Sequence, residues 1–441
     1  MIAVLCLAVV LAVAALLGCL SWGWRNVVLL AFVLSVAVFP RRLLGDPVAY
    51  AGVAPGAPQL STFGLVLVVG SLVAVLARSA RGGLAVLPVL VWTGVASVTV
   101  WTPSPVLVSG LLHVALMALA WVLGTSLSGA RASSSKDQLF YARVVAGAVL
   151  VQLGTVLLQL AGLDLNPMRP QTAAIMEWRL NGTMDHPNTL GKVLLLLLAM
   201  ALPGTVSVQR AVRRTSSVAV LACFPPLLLS GGRANITAAV MTVLVWVVVQ
   251  RRESVLRGMR AYLLIGGALL GGTFAGRVVE RFREDPDGGS RAALTDRALE
   301  VIPQNLLLGV GPNSWVDVVG RFDPLTAAGL PVHNAVLLVV GELGVVGAVL
   351  LLAPAGATVL LAFRRRRDGG QAGAAATAVV AALPGLLLVM LTGWGMVAGN
   401  VAMLWMFFLG GSTAAMTRTR TPEPDCTTVD APTGTYSRGT V

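Results

Sequence analysis

Little in this chain of 441 residues can do acid–base chemistry at neutral pH, because histidine occurs only three times. Two of the three stand in the same kind of place. His186 precedes Pro187-Asn188, and His333 precedes Asn334, each where a polar stretch gives way to an apolar run. Proline is excluded from a helix interior but suits its first turn, so Pro187 starts a helix and holds His186 at its end. Asn334 is a good N-cap, which puts His333 just outside the positive end of the next helix. That field disfavours a second positive charge and keeps the imidazole neutral, able to accept a proton as a general base must. Glu342 lies about two turns inside the same apolar run, where an ionisable group is costly enough to require a partner or a function. His113 sits within an apolar run and reads as a core histidine with its hydrogen bonds satisfied.

The other candidate groups are arginines. Ser230-Gly231-Gly232-Arg233 makes a very short turn between apolar runs, and its glycines let the backbone approach a ligand. Ser290 reads as the N-cap of an amphipathic helix, Arg291–Ile302, with Leu294, Ala298 and Val301 at helical spacing. Arg291 then opposes the helix dipole from the first turn. A bound anion would relieve that conflict, since the free N–H groups and the guanidinium converge on it. The ordinary alternative for Arg291 and Arg297 is a solvated helix face. The acidic cluster Glu284, Asp285 and Asp287 contains an Asp-x-Asp pattern like that by which many glycosyltransferases hold a divalent ion. Two carboxylates beside Pro286 also make an ordinary turn, and hard cations usually gather more oxygen ligands than these. No metal and no cofactor is expected.

Long apolar segments must position these groups. The chain is 56% hydrophobic and 12% charged, against about 25% charged in soluble domains. The expected fold is all-α, a polytopic membrane bundle of about 12–13 transmembrane helices, each needing roughly 20 apolar residues. Candidate spans are 2–20, 26–39, 60–77, 84–101, 105–128, 139–163, 188–206, 216–230, 234–250, 261–276, 334–362, 375–392 and 396–416. The chain divides into N-terminal helices (1–163), central helices with the two outer turns (164–276), a large polar loop holding short amphipathic helices (277–333), C-terminal helices (334–416) and a Thr/Pro-rich disordered tail (417–441). The net charge of +13 comes from short arginine clusters between spans, which encode topology rather than nucleic-acid binding. If the spans alternate, Arg210/Arg213/Arg214, Arg364–Arg367 and the other clusters face the cytoplasm, and 164–187, 231–233 and 277–333 face outward. Arg41 and Arg42 break this pattern, because alternation puts them outside.

These residues resemble the O-antigen ligase/polymerase superfamily of polytopic membrane glycosyltransferases. The resemblance rests on Gly182-Thr183-Met184-Asp185-His186-Pro187-Asn188, on Ser230-Gly231-Gly232-Arg233, and above all on Ser290-Arg291, Gly309-Val310-Gly311-Pro312-Asn313, His333-Asn334 and Glu342-Leu343-Gly344. It covers roughly residues 170–350. Gly232 stands where the family has a second serine, and the usual tryptophan shortly after the loop arginine is absent. The resemblance implies transfer of a glycan from a polyprenyl-diphosphate carrier to a glycan, lipid or protein acceptor, at the outer face of the cytoplasmic membrane. His333, Arg291 and Arg233 would be catalytic, with His186, Asn188, Arg297, Asn334 and Glu342 as substrate contacts. The family is described as metal-independent.

Two other classes compete. A lipid-linked glycan flippase or other transporter should show two matching halves with interrupted helices and midplane charges, whereas one asymmetric loop and no repeat are found here. A glycosyltransferase of the kind that polymerises peptidoglycan shares the broad architecture without the His-Asn loop ending. Ligase and polymerase use the same groups, so the sequence does not separate them.

Overall fold

The computed structural model describes residues 21–44, 52–77, 79, 82–131, 134–168, 176, 178–250 and 291–417. The expected spans 2–20 and 261–276, the Ser290 cap, the cluster Glu284, Asp285 and Asp287, and the tail beyond Thr417 lie outside them.

The described chain is an all-α bundle of a multi-pass membrane protein. Six of its helices are long and apolar enough to cross a membrane, and four more apolar helices are shorter. In order they are α1 (Trp24–Ala37), α2 (Thr62–Leu76), α3 (Gly83–Thr99), α4 (Pro105–Arg131), α5 (Ser135–Leu160), α6 (Pro187–Ala201), α7 (Arg210–Ala222), α8 (Phe224–Leu229) and α9 (Arg233–Val249). The polar loop contributes α10 (Arg291–Val301), α11 (Trp315–Val319) and α12 (Pro324–Ala327); α13 (Ala335–Arg365), α14 (Gly370–Thr392) and α15 (Gly399–Thr417) follow. A short antiparallel ladder pairs β1 (Arg42–Leu44) with β2 (Leu60–Ser61). Several helices run past the expected spans into charged residues, as α13 does to Arg365. Hydropathy ends at the first charge, but backbone hydrogen bonding does not. The expected span 216–230 starts earlier, at Arg210, and is divided near Cys223 ahead of Pro225-Pro226.

Helix α6 is the axis. Leu190 and Val193 through Leu198 are almost completely buried, because a helix apolar on every side needs neighbours all round. Helices α4 and α15 pack through small residues: Gly124 faces the Phe407 carbonyl and Gly410 the Trp121 carbonyl, and a side chain at either would strike backbone.

Helix α13 is broken where the sequence reads Glu342-Leu343-Gly344. Gly344 has φ 68° and ψ 175°, and the freed backbone groups are taken up by the preceding loop. Val310 and Gly311 N–H donate to the Gly341 and Glu342 carbonyls at 3.0 and 2.8 Å, while Val345 N–H donates to the Leu306 carbonyl at 2.7 Å. Irregular backbone at membrane depth is tolerated only when satisfied in this way. A Cβ on Gly344 would collide with the Leu307 carbonyl, and one on Gly309 with the Glu342 carbonyl. Gly344→Ala is therefore expected to destabilise the protein by about 2–3 kcal/mol or more, from strain plus collision. A thermal midpoint in detergent unchanged from wild type would show that this junction is not rigid.

Candidate active site

The two histidines sit where the sequence places them, and their hydrogen bonds set opposite tautomers. His186 is the N-cap of α6, and its Nδ1 accepts the Asn188 N–H at 3.0 Å. A nitrogen that accepts holds no proton, so in the neutral ring Nε2–H is a donor. His333 Nδ1 lies 3.1 Å from the Pro331 carbonyl. A carbonyl only accepts, so Nδ1 carries the proton and Nε2 the free lone pair. Burial pushes the His186 pKa down to about 4, helped by the charges of Arg179 and Lys192. Burial also lowers that of His333, with Arg291 next and Lys192 adding to it, against the opposing bond to Pro331. Both rings are neutral at neutral pH. His333 presents a base and His186 a donor.

The loop bearing His186 is fixed from α5. Gln152, fully buried, donates to the Ala37 carbonyl and to Thr183 Oγ1, both at 2.6 Å, and accepts the Thr183 N–H at 3.1 Å. Gln159 donates to Asn181 Oδ1 at 2.8 Å and accepts the Gly182 N–H at 2.9 Å. Gly182 and Thr183 therefore serve the loop's shape rather than its chemistry.

Asn188 joins this loop to the glycine turn. Its Oδ1 accepts from Arg179 Nη2, and its carbonyl accepts from Asn235 Nδ2 at 3.2 Å and Lys192 Nζ at 3.3 Å. Arg179, only 4% exposed, also donates from Nε to the Ser230 carbonyl at 2.7 Å. Gly231, at φ +62°, packs against Arg179 and Trp178 so closely that a Cβ would lie 3.0 Å from each. That close approach, rather than contact with a ligand, accounts for one of the two glycines. Arg233 follows as the first residue of α9.

Arg291 is exposed and opens α10, whose buried face is Leu294, Ala298 and Val301, the three residues expected to be apolar contacts. The helix ends at Val301, one residue earlier than expected. Arg291 lies within electrostatic reach of both His333 and Lys192, so the charges of the loop arginine and the buried lysine are both felt at the histidine. Among the described residues, neither Arg291 nor Lys192 has a carboxylate partner. No group of three His, Cys, Asp or Glu residues among them could hold a metal.

Three other expected contacts bond within the protein. Glu342 Oε2 accepts the Asn313 N–H at 2.9 Å, which stabilises the left-handed Asn313 (φ 65°) beside the α13 break. Its carboxylate is directed into the loop junction because the break needs a buried acceptor there. Arg297 pairs with Glu300 at 2.6 Å and Asp323 at 3.8 Å, tying α10 to the N-cap of α12. Asn334 Oδ1 caps α13 by accepting the Val336 and Leu337 N–H groups at 2.9 and 3.1 Å. Conversely, Arg179 and Lys192 were not singled out in the sequence. Lys192 carried a signal, a lone ammonium within an apolar span. Arg179 carried none, because only the fold brings it to Asn188.

Residues 217–352 match the family of O-antigen ligases. The match takes in Arg233, Arg291, His333, Asn334 and Glu342, and leaves His186 and the N-terminal helices outside. Among curated proteins, none matches this chain.

Proposed function

From the O-antigen ligase domain that this chain carries, we propose that the protein is a membrane glycosyltransferase that moves a glycan from a polyprenyl-diphosphate carrier to an acceptor hydroxyl. The observation that carries this reading is the grouping of His333, Arg291 and Lys192, a neutral base among cations that have no carboxylate partner among the described residues. A diphosphate supplies the missing anion. The acceptor oxygen attacks the anomeric carbon as the carbon–oxygen bond to the diphosphate breaks. Its proton passes to His333 Nε2, and polyprenyl diphosphate leaves with the bonding pair. Direct displacement inverts the anomeric centre. Arg291 and Lys192 meet the charge that develops on the leaving group, and the His186 Nε2–H is a further donor to the sugar or phosphate.

Helix α13 supports a site on the outer face, since it runs from the residue after His333-Asn334 to Arg365 over about 45 Å at 1.5 Å per residue. An arginine cluster is the usual mark of a cytoplasmic helix end, which supports a reaction on the outer face. Ligation and polymerisation of a surface glycan both fit these groups.

The test is release of polyprenyl diphosphate by the purified protein from a lipid-linked oligosaccharide plus acceptor, with EDTA present. Release coupled to glycan transfer is expected. Substrate that crosses vesicle membranes unconsumed would make the protein a transporter, and loss of activity in EDTA would bring Asp285 and Asp287 back as metal ligands.

A further inference from the structure

A cavity of about 420 Å³ is lined in part by the His186 loop, through Met184, Asp185 and Thr189. That volume falls within the range of small-molecule sites, roughly 300–1,000 Å³. Its polar lining includes Arg41, Arg42, Ser109, His113, Asp185 and Asn400, and none of its lining residues falls within 217–352. Asp185 and Thr189 bracket His186 and Asn188, so the segment that bonds to Arg179 and Lys192 also contributes to this cavity. His113 Nε2 lies 2.9 Å from the Val397 carbonyl. Since that oxygen only accepts, Nε2 donates, and a neutral ring keeps Nδ1 as an acceptor for a hydroxyl. Arg41 is committed to the protein, through Asn166 Oδ1 at 2.5 Å and Asp185 at 3.7 Å. Arg42 is exposed and makes no ion pair among the described residues. The two arginines that contradict the topology pattern are thus accounted for: one holds the loop, and the other faces an open cavity.

We infer that this cavity binds the acceptor glycan and selects one bearing an acidic group, which Arg42 pairs with. The inference rests on the glycosyl-transfer reading above. Hydroxyl-bearing and amide side chains, with the His113 Nδ1, suit a polyhydroxylated ligand. Phe63, Leu112 and Leu116 in the same wall suit the C–H faces of sugar rings. A guanidinium with no carboxylate partner among the described residues suits a carboxylate or phosphate on a ligand. An acceptor held here lies beside the segment that carries His186.

The experiment measures binding of tri-galacturonate and of neutral galactotriose to the full chain in phosphatidylcholine nanodiscs, without donor. Tri-galacturonate is expected to bind about tenfold more tightly or better, what one hydrogen bond to a charged group contributes. Arg42→Gln should bring the two ligands level, and Arg42→Lys should keep part of the preference. Equal binding of both trimers to wild type overturns the inference, as does an intact preference in Arg42→Gln at an unchanged thermal midpoint. Loss of trimer binding when phosphatidylglycerol is added to the discs would make the cavity a lipid-headgroup site instead. A protein that transfers glycan but ignores the trimers refutes this inference alone. One that binds them yet releases no carrier refutes only the transfer reading.

Discussion

His333→Ala is expected to lower the rate of polyprenyl-diphosphate release by roughly 10²–10⁴, the usual contribution of a positioned general base. The fold should survive, because the ring is half-buried and its one hydrogen bond among the described residues is to the Pro331 carbonyl two residues away. The tautomer argument makes the prediction specific. Nδ1 is held as the donor, so the lone pair on Nε2 is preformed rather than chosen on binding. His333→Asn keeps a hydrogen-bonding group of similar reach but no base, and should be as inactive as alanine. A loss under about tenfold, with the thermal midpoint intact, would remove His333 from the proton transfer. His186→Ala makes the contrast, since its Nδ1 is spent on Asn188. It should lose helix capping as well as activity, so its midpoint should fall.

These two histidines also show how far the sequence can be read. Helix starts at Pro187 and after Asn334 were legible because proline geometry and N-cap chemistry are local. The buried face of α10 was legible because helical spacing is local too. The purpose of Glu342 was not. A costly ionisable residue inside a span signals a partner, but nothing local shows that α13 breaks two residues later and that the loop at Gly309–Asn313 folds into the break. Arg297 had the same difficulty, since Asp323 joins it only through the turn that seats α12. The glycines of the Ser230–Arg233 turn were read as an approach for a ligand, yet Gly231 makes room for Arg179, and nothing in the sequence signals that Gly309 and Gly344 make room for backbone at the loop junction. Long-range backbone pairing and a buried arginine from a polar segment are tertiary facts, and no periodicity in the chain encodes them.

The cation cluster gives the second large effect, and it separates function from stability. Lys192 is 9% exposed in the middle of an apolar helix, without a carboxylate among the described residues, and burying an unpaired ammonium costs stability. Lys192→Met fills similar volume without that cost, so the thermal midpoint of the free protein should rise. Activity should fall by about 10²–10³, as when one preorganised donor to a developing oxyanion is removed. A merely structural lysine would give the opposite pairing, a lower midpoint with normal turnover. Arg291→Ala should lose activity on the same scale, and the pH profile reports its place in the site. His333 acts only when neutral, so the acid limb of kcat/KM follows its pKa, which burial first and Arg291 next hold below the ordinary value of about 6.5. Activity is then present above that lowered pKa and lost as pH falls through it. Removing the Arg291 charge takes away one cause of the depression, so the acid limb should move to higher pH in Arg291→Ala and stay near wild type in Arg291→Lys. An acid limb that does not move in Arg291→Ala would detach this arginine from His333, and with it the claim that base and anion site are one unit.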